Sequence, residues 1–258
     1  MIWHRSSMQL IDSHCHLADP RIAGDAETII LRSRTAGVVG WVVPSAASSE
    51  WQPLADLARR NDGIYAAFGI HPWYCDQHTE TDFAQLRTYL REAIALGECG
   101  LDFAPDRPDE ATQVRWLHRQ LQLAKEINLP VILHAHKSLD RLMHELKPFP
   151  GLRGVVHGFA GSGQQAGQLV AMGYHLGIGT RIARPEARRL REIVRELPIE
   201  RICLETDAPD QPLPGVLHGH NEPAALLGVL DALAGIRRLP ASQLAERCNA
   251  NVRELFRL

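Results

Sequence analysis

Short runs rich in Val, Ile, Leu and Ala alternate along this chain with segments in which apolar residues recur every three or four positions. The first pattern belongs to strands buried on both faces, the second to helices that cover them. Strands are expected at residues 9–16, 38–45, 64–71, 95–103, 130–136, 154–159, 174–180 and 201–207. Between them, residues 109–127 place Val114, Leu117, Leu121 and Ala124 on one helical stripe, and residues 184–196 are charged outside with Leu190 and Val194 inward. Eight strand–helix units in 258 residues predict an α/β fold, a (β/α)8 TIM barrel. A doubly wound open sheet is the alternative, and it offers no reason for the distribution of polar residues described below.

The apolar fraction of 45% suffices for one large core, so residues 1–258 are expected to form a single barrel domain. Lys plus Arg number 28 against 30 Asp plus Glu, which excludes the broad basic field that grips long duplexes. Five cysteines without CxxC spacing fit reduced thiols in a cytoplasmic protein. The start, MIWHRSS, lacks the apolar stretch of a secretory signal, and no run is long enough to span a membrane. Met8 is a second candidate for the first residue.

Candidate chemistry sits where the strands end. The runs finish as LIDSHCH, AAFGIHP, LGECGLDF, PVILHAH, GVVHGF and CLETDAP, so His14, His16, His71, Glu98, His134, His136, His157 and Asp207 are expected at one mouth of the barrel. Two histidines one residue apart in a strand share a face and can reach one ion. So many ionisable groups are costly to bury unpartnered, and a divalent cation is the simplest common partner. Taken singly, Glu98 also reads as a buried acid paired with an arginine, and Asp207 as a helix cap. His4, His78, His118, His144 and His175 fall on tails, loops, helices or strand starts and are assigned no role.

The ordered set HCH, GIHP, GECGLDF, PVILHAH, GVVHGFAGS, LETDAPD and NEP resembles the TatD family of metal-dependent hydrolases over residues 11–256. That resemblance implies the metallo-dependent hydrolase type of TIM barrel and two divalent metal ions. His14 and His16 would bind one ion, His134 and His157 the second, Glu98 would bridge them, and Asp207 would serve the first ion and the attacking water. By that resemblance Asp207 and Glu98 would be the catalytic carboxylates. His71 would line the site and touch a substrate phosphate, or merely fix its loop before Pro72. Glu205, sharing a strand face with Asp207, would orient a ligand. Relatives in the wider barrel group bridge their metals with a modified lysine, whereas Glu98 needs no modification. The donor set suits Zn, Mn, Fe or Ni, with Mg less natural.

The same resemblance implies a deoxyribonuclease hydrolysing phosphodiesters at DNA or oligonucleotide ends; apart from it, no membrane partner and a monomer are expected. Lys137, Arg181 and Arg184 are local cations that could hold phosphates, or simply surface charges, and the basic run from Arg188 reads as a solvated helix face. One departure is visible: relatives carry a Ser-Arg pair after the fifth-strand histidine, where this chain has Ala135, His136 and Lys137. The NEP segment at Glu222 also reads as a helix start with Pro223 in its first turn. Two other functions fit the residues: hydrolysis of a small ester, lactone or amide, since the fold does not set the bond cleaved, and a non-catalytic metal-binding partner protein.

Overall fold

The computed structural model describes residues 8–258, so the MIWHRSS segment and His4 lie outside the described residues. Eight parallel strands follow one another around a single sheet: β1 (Leu10–Asp12), β2 (Val38–Pro44), β3 (Ile64–Phe68), β4 (Ala95–Asp102), β5 (Val131–His136), β6 (Gly154–Val156), β7 (His175–Ile178) and β8 (Ile202–Leu204). The last strand meets the first through the Ser13 N–H, which donates to the Leu204 carbonyl at 2.9 Å. This sequential, nearly closed order is the TIM barrel and excludes the open sheet.

The α-helices α1 (Ala26–Thr35), α2 (Trp51–Arg60), α3 (Glu80–Tyr89), α4 (Glu110–Glu126), α5 (Leu139–Leu146), α6 (Gly163–Ala171), α7 (Arg188–Glu196), α8 (Leu226–Arg237) and α9 (Ala241–Phe256) alternate with the strands and extend beyond them. Helix α4 matches the expected span closely because Asp109 caps it, accepting from the Thr112 N–H at 2.9 Å. Helix α7 starts four residues later than expected: Pro185 keeps Arg184 extended, at φ −81° and ψ 122°. Its Leu190 and Val194 are buried, as the stripe required.

Two apolar layers result. The larger lies between the strands and the surrounding helices. The smaller fills the barrel, taking Ile11, Val42, Ala67, Ala95, Ile132, Val155 and Cys203 from seven strands, and Val252, Leu255 and Phe256 of α9 pack against it. Because strand side chains alternate, residues two places further along share the interior face. Ile132 thus leads to His134 and Val155 to His157.

Candidate metal centre

Glu98 and His134 lie within strands, but His14, His16, His71, His157 and Asp207 all fall just past strand ends. The expected strands were therefore too long at these points. After Asp12 the chain stays wedged between neighbours: Ser13 N–H reaches β8, Cys15 N–H donates to the Val42 carbonyl at 3.1 Å, and His16 N–H donates to the Ala208 carbonyl at 2.7 Å. Both imidazoles are consequently held on one side although the strand has ended, and their Nε2 atoms stand 3.0 Å apart. Asp12 locks this junction, accepting from Thr206 Oγ1 at 2.6 Å and from the backbone N–H groups of Thr206 and His14.

Glu98 sits where the register between β4 and β5 shifts, between Leu96 and Cys99. Such a bulge re-aims a side chain, here into the barrel. Its two oxygens face two donor sets. Oε2 lies 3.3 Å from Nε2 of both His14 and His16, while Asp207 Oδ1 lies 3.4 Å from each of the same two nitrogens. Oε1 lies 2.9 Å from His134 Nδ1 and 2.7 Å from His157 Nε2, and those two nitrogens are 3.0 Å apart.

These distances bear on whether an ion fits. Donors roughly 2.0–2.2 Å from a zinc-like ion define a tetrahedron with edges of about 3.3–3.6 Å. The His14, His16, Glu98 and Asp207 atoms span four such edges of 3.3–3.4 Å and a shorter one, 3.0 Å, between the two imidazoles. The second set offers three donors and leaves a position open. Four imidazole nitrogens and two carboxylates suit a divalent transition metal.

His71 approaches Glu98 Oε1 with Nε2 at 3.4 Å, while its Nδ1 accepts the Trp73 N–H at 3.1 Å. That bond leaves the proton of the neutral ring on Nε2, so His71 offers the cluster a donor rather than a lone pair. Burial, opposed by the Glu98 charge, takes its pKa down to about 4 and keeps it neutral.

Burial is the largest influence throughout the cluster, and nearby charges decide the outcome. It lowers His14 to about 4, with the His157 ring adding to the effect. Around His16 burial is outweighed by Asp207 and Glu98, which raise it well above the ordinary histidine value. Burial would raise Glu98, yet His157, His71 and His14 hold it well below the usual carboxylate range. Asp207 is likewise held low against its burial, chiefly by His16. Both acids are therefore ionised, and protons on imidazoles compete with a cation.

Several groups behind the cluster escaped the sequence reading. Asp102 Oδ2 is 3.1 Å from His134 Nε2 and accepts the Trp73 indole N–H at 2.6 Å. Gln211 donates to Asp207 Oδ2 at 2.6 Å, and Asn221 Nδ2 pins the same loop by donating to the carbonyls of Thr206 and Asp210. Asp102 was visible in GECGLDF as an acid at a strand end; the loop residues left no periodic signal. Glu205, which the sequence did single out, stands behind His157, its Oε1 accepting from the Gly158 N–H at 2.5 Å and lying 3.9 Å from His157 Nδ1. Burial pushes its pKa up to about 8.

Other sequence candidates lie elsewhere. Glu222 pairs with Arg32 on the surface, and Pro223 opens the turn before α8, so the NEP segment supports a loop through Asn221 rather than supplying its acid to the cluster. His78 accepts from the Ser48 N–H, and His118 pairs with Glu145, both structural roles. His136 and Lys137 are exposed beside the centre with Arg181, on the wall of a cavity of about 580 Å³ that also takes in Phe103, Phe159 and His157. Arg184 reaches the Pro212 carbonyl at 3.5 Å.

A parallel eight-stranded barrel with imidazoles and carboxylates gathered at the C-terminal ends of its strands is the architecture of a metal-dependent hydrolase. Residues 11–257 match the family model of TatD related DNase. The chain is 38% identical over 253 residues to YjjV of Escherichia coli K12, named an uncharacterized metal-dependent hydrolase, across 96% of this chain and 98% of that one. It is 33% identical to the 3'-5' ssDNA/RNA exonuclease TatD of Erwinia billingiae, across 96% and 99%. The crystal structure of the Escherichia coli YjjV, a TatD homolog, superposes with a TM-score of 0.91 over 96% of this chain and 98% of that one. That of a TatD family hydrolase from Entamoeba histolytica, at 19% identity, superposes with a TM-score of 0.87 over 96% and 98%, a likeness of fold. This chain belongs to the TatD-related DNase family and is a metal-dependent hydrolase. Among the described residues no helix is long and apolar enough to cross a membrane.

Proposed function

We propose that this protein removes nucleotides from the ends of DNA by hydrolysing phosphodiester bonds at a two-metal centre. His14, His16 and Asp207 would hold one ion, His134 and His157 the other, and Glu98 would bridge them. The observation that carries this reading is the division of the Glu98 carboxylate between two donor sets. Zn, Mn, Fe or Ni fits the donors better than Mg. When bound, the two ions would lower the pKa of a water toward neutrality and offset negative charge developing on the phosphoryl oxygens.

The protein's own groups complete the chemistry. Asp207 stays ionised and is steadied by Gln211 on Oδ2, so its carboxylate can accept the proton released by the attacking water. The His71 Nε2–H can donate to a phosphoryl oxygen. Lys137 and Arg181 flank the adjoining cavity, where an anionic strand would lie.

Nucleic acid as substrate rests on family membership and on the relatives named as nucleases. The near-neutral net charge fits an end held locally rather than a long duplex. All six donors come from one chain, so a monomer suffices. The five cysteines are free and buried, which supports a reducing, cytoplasmic setting. Metal-loaded protein assayed on end-labelled oligonucleotides, beside a panel of esters, lactones and amides, tests the proposal. A ladder shortening from one end is expected; nuclease silence with strong turnover of the panel overturns it.

A further inference from the structure

Trp73 is the one aromatic side chain among the exposed large apolar residues described, with 37% of its surface in water. It is not loose. Its indole N–H is bound to the buried Asp102 at 2.6 Å, and its ring meets that of His71 edge-on at 5.1 Å and 90°. The Arg107 guanidinium lies 3.8 Å from the ring centroid. Arg107 Nε is buried without a hydrogen-bond partner, so this cation is held by the indole while part of its donor set is unused. Through Asp102 and His134 the indole stands two side chains away from Glu98.

We propose that Trp73 and Arg107 form a stacking platform that holds one unpaired nucleobase next to the scissile phosphate. The inference rests on the phosphodiesterase reading above and adds two side chains that would hold a base beside the cleaved bond. An indole and a guanidinium are both flat, and any base can add to such a stack, so the contact favours unpaired nucleotides without reading sequence. A base locked in a duplex is already stacked and cannot reach the platform without fraying. The cavity carrying Lys137 and Arg181 includes His157 at the metal centre, so the strand has room to continue beyond the cluster on that side.

The test compares kcat/KM for single-stranded oligonucleotides with that for the same strands carrying an abasic site at either nucleotide flanking the cleaved bond. The ratio cancels any general damage to the metal centre. In the wild type the intact strand should be favoured by roughly tenfold, mostly through KM. Trp73→Phe keeps a stacking face but loses the N–H to Asp102, so its ratio should stay near the wild-type value even if kcat falls. Trp73→Ala should bring the ratio toward one, whereas Arg107→Ala, which leaves the indole face in place, should lower it only in part. A wild-type ratio near one, or an unchanged ratio in Trp73→Ala, overturns the platform while leaving the phosphodiesterase intact. Failure of the wild type to cleave any oligonucleotide, with turnover of small esters, removes both.

Discussion

Asp102 Oδ2 lies 3.1 Å from His134 Nε2, on the opposite side of the imidazole from Glu98, which faces Nδ1 at 2.9 Å. The acid thereby sets which ring nitrogen carries the proton and turns the Nδ1 lone pair toward the cluster. Replacing Asp102 by Ala should weaken metal binding at the His134–His157 set by about 10–100-fold. Competition against a chelator measures this, and an affinity equal to that of the wild type would remove Asp102 from the site.

Asp207 Oδ1 faces the two histidines of the first set, while its Oδ2 accepts from Gln211. Asn in its place keeps the shape and a ligating oxygen but cannot take up a proton. Asp207→Asn should therefore lower kcat by about 10²–10⁴-fold while metal content stays largely intact. Turnover at the wild-type rate in a fully loaded variant would exclude Asp207 as the proton acceptor.

Gly100 lies against β5, with φ at +148° and the space for a Cβ already occupied by the His134 carbonyl oxygen. Since backbone rather than a flexible side chain blocks that space, Gly100→Ala must displace the strand carrying His134. The expected result is loss of metal affinity together with lower stability, by about 1–3 kcal/mol from strain at a packed site. Calorimetry and metal titration on one sample read both; a variant with unchanged melting and affinity would contradict the close approach.

Strand order and part of the clustered side chains are legible because alternation is obligatory in a filled barrel. His134 and His157 follow interior Ile132 and Val155 by two residues and could be placed from that period alone. Glu98 could not, since it stands three residues after interior Ala95 and reaches the interior only through the bulge in β4. Its identification depended on the motif around it. His14 and His16 stand together for a partly different reason than a shared strand face: they lie past the strand, and hydrogen bonds to β8, β2 and Ala208 replace the ladder. Trp73, Gln211 and Asn221 were hidden because turns return them to the site, and no hydrophobic period encodes where a turn points.

At the opposite end of the barrel, His175 begins β7, buried with 6% exposure and with Nδ1 lacking a hydrogen-bond partner. Burial, helped by the positive charge of Arg201, lowers its pKa from 6.5 to about 4. Above pH 6.5 the ring is neutral in both the folded and unfolded chain and adds nothing to pH dependence. Between pH 6.5 and 4 the unfolded chain binds a proton that the folded chain refuses, so stability falls as the solution is acidified through this window. Going from pH 7 to pH 5 should cost about 1–2 kcal/mol through this residue. Acidic groups and the clustered histidines at the other end titrate in the same range, so the contribution is isolated by difference. His175→Leu, which keeps an apolar fill without a titrating ring, should lose less stability between those pH values than the wild type, as read from urea unfolding at matched metal loading. Parallel losses in the two proteins would mean that His175 takes up its proton in the folded barrel.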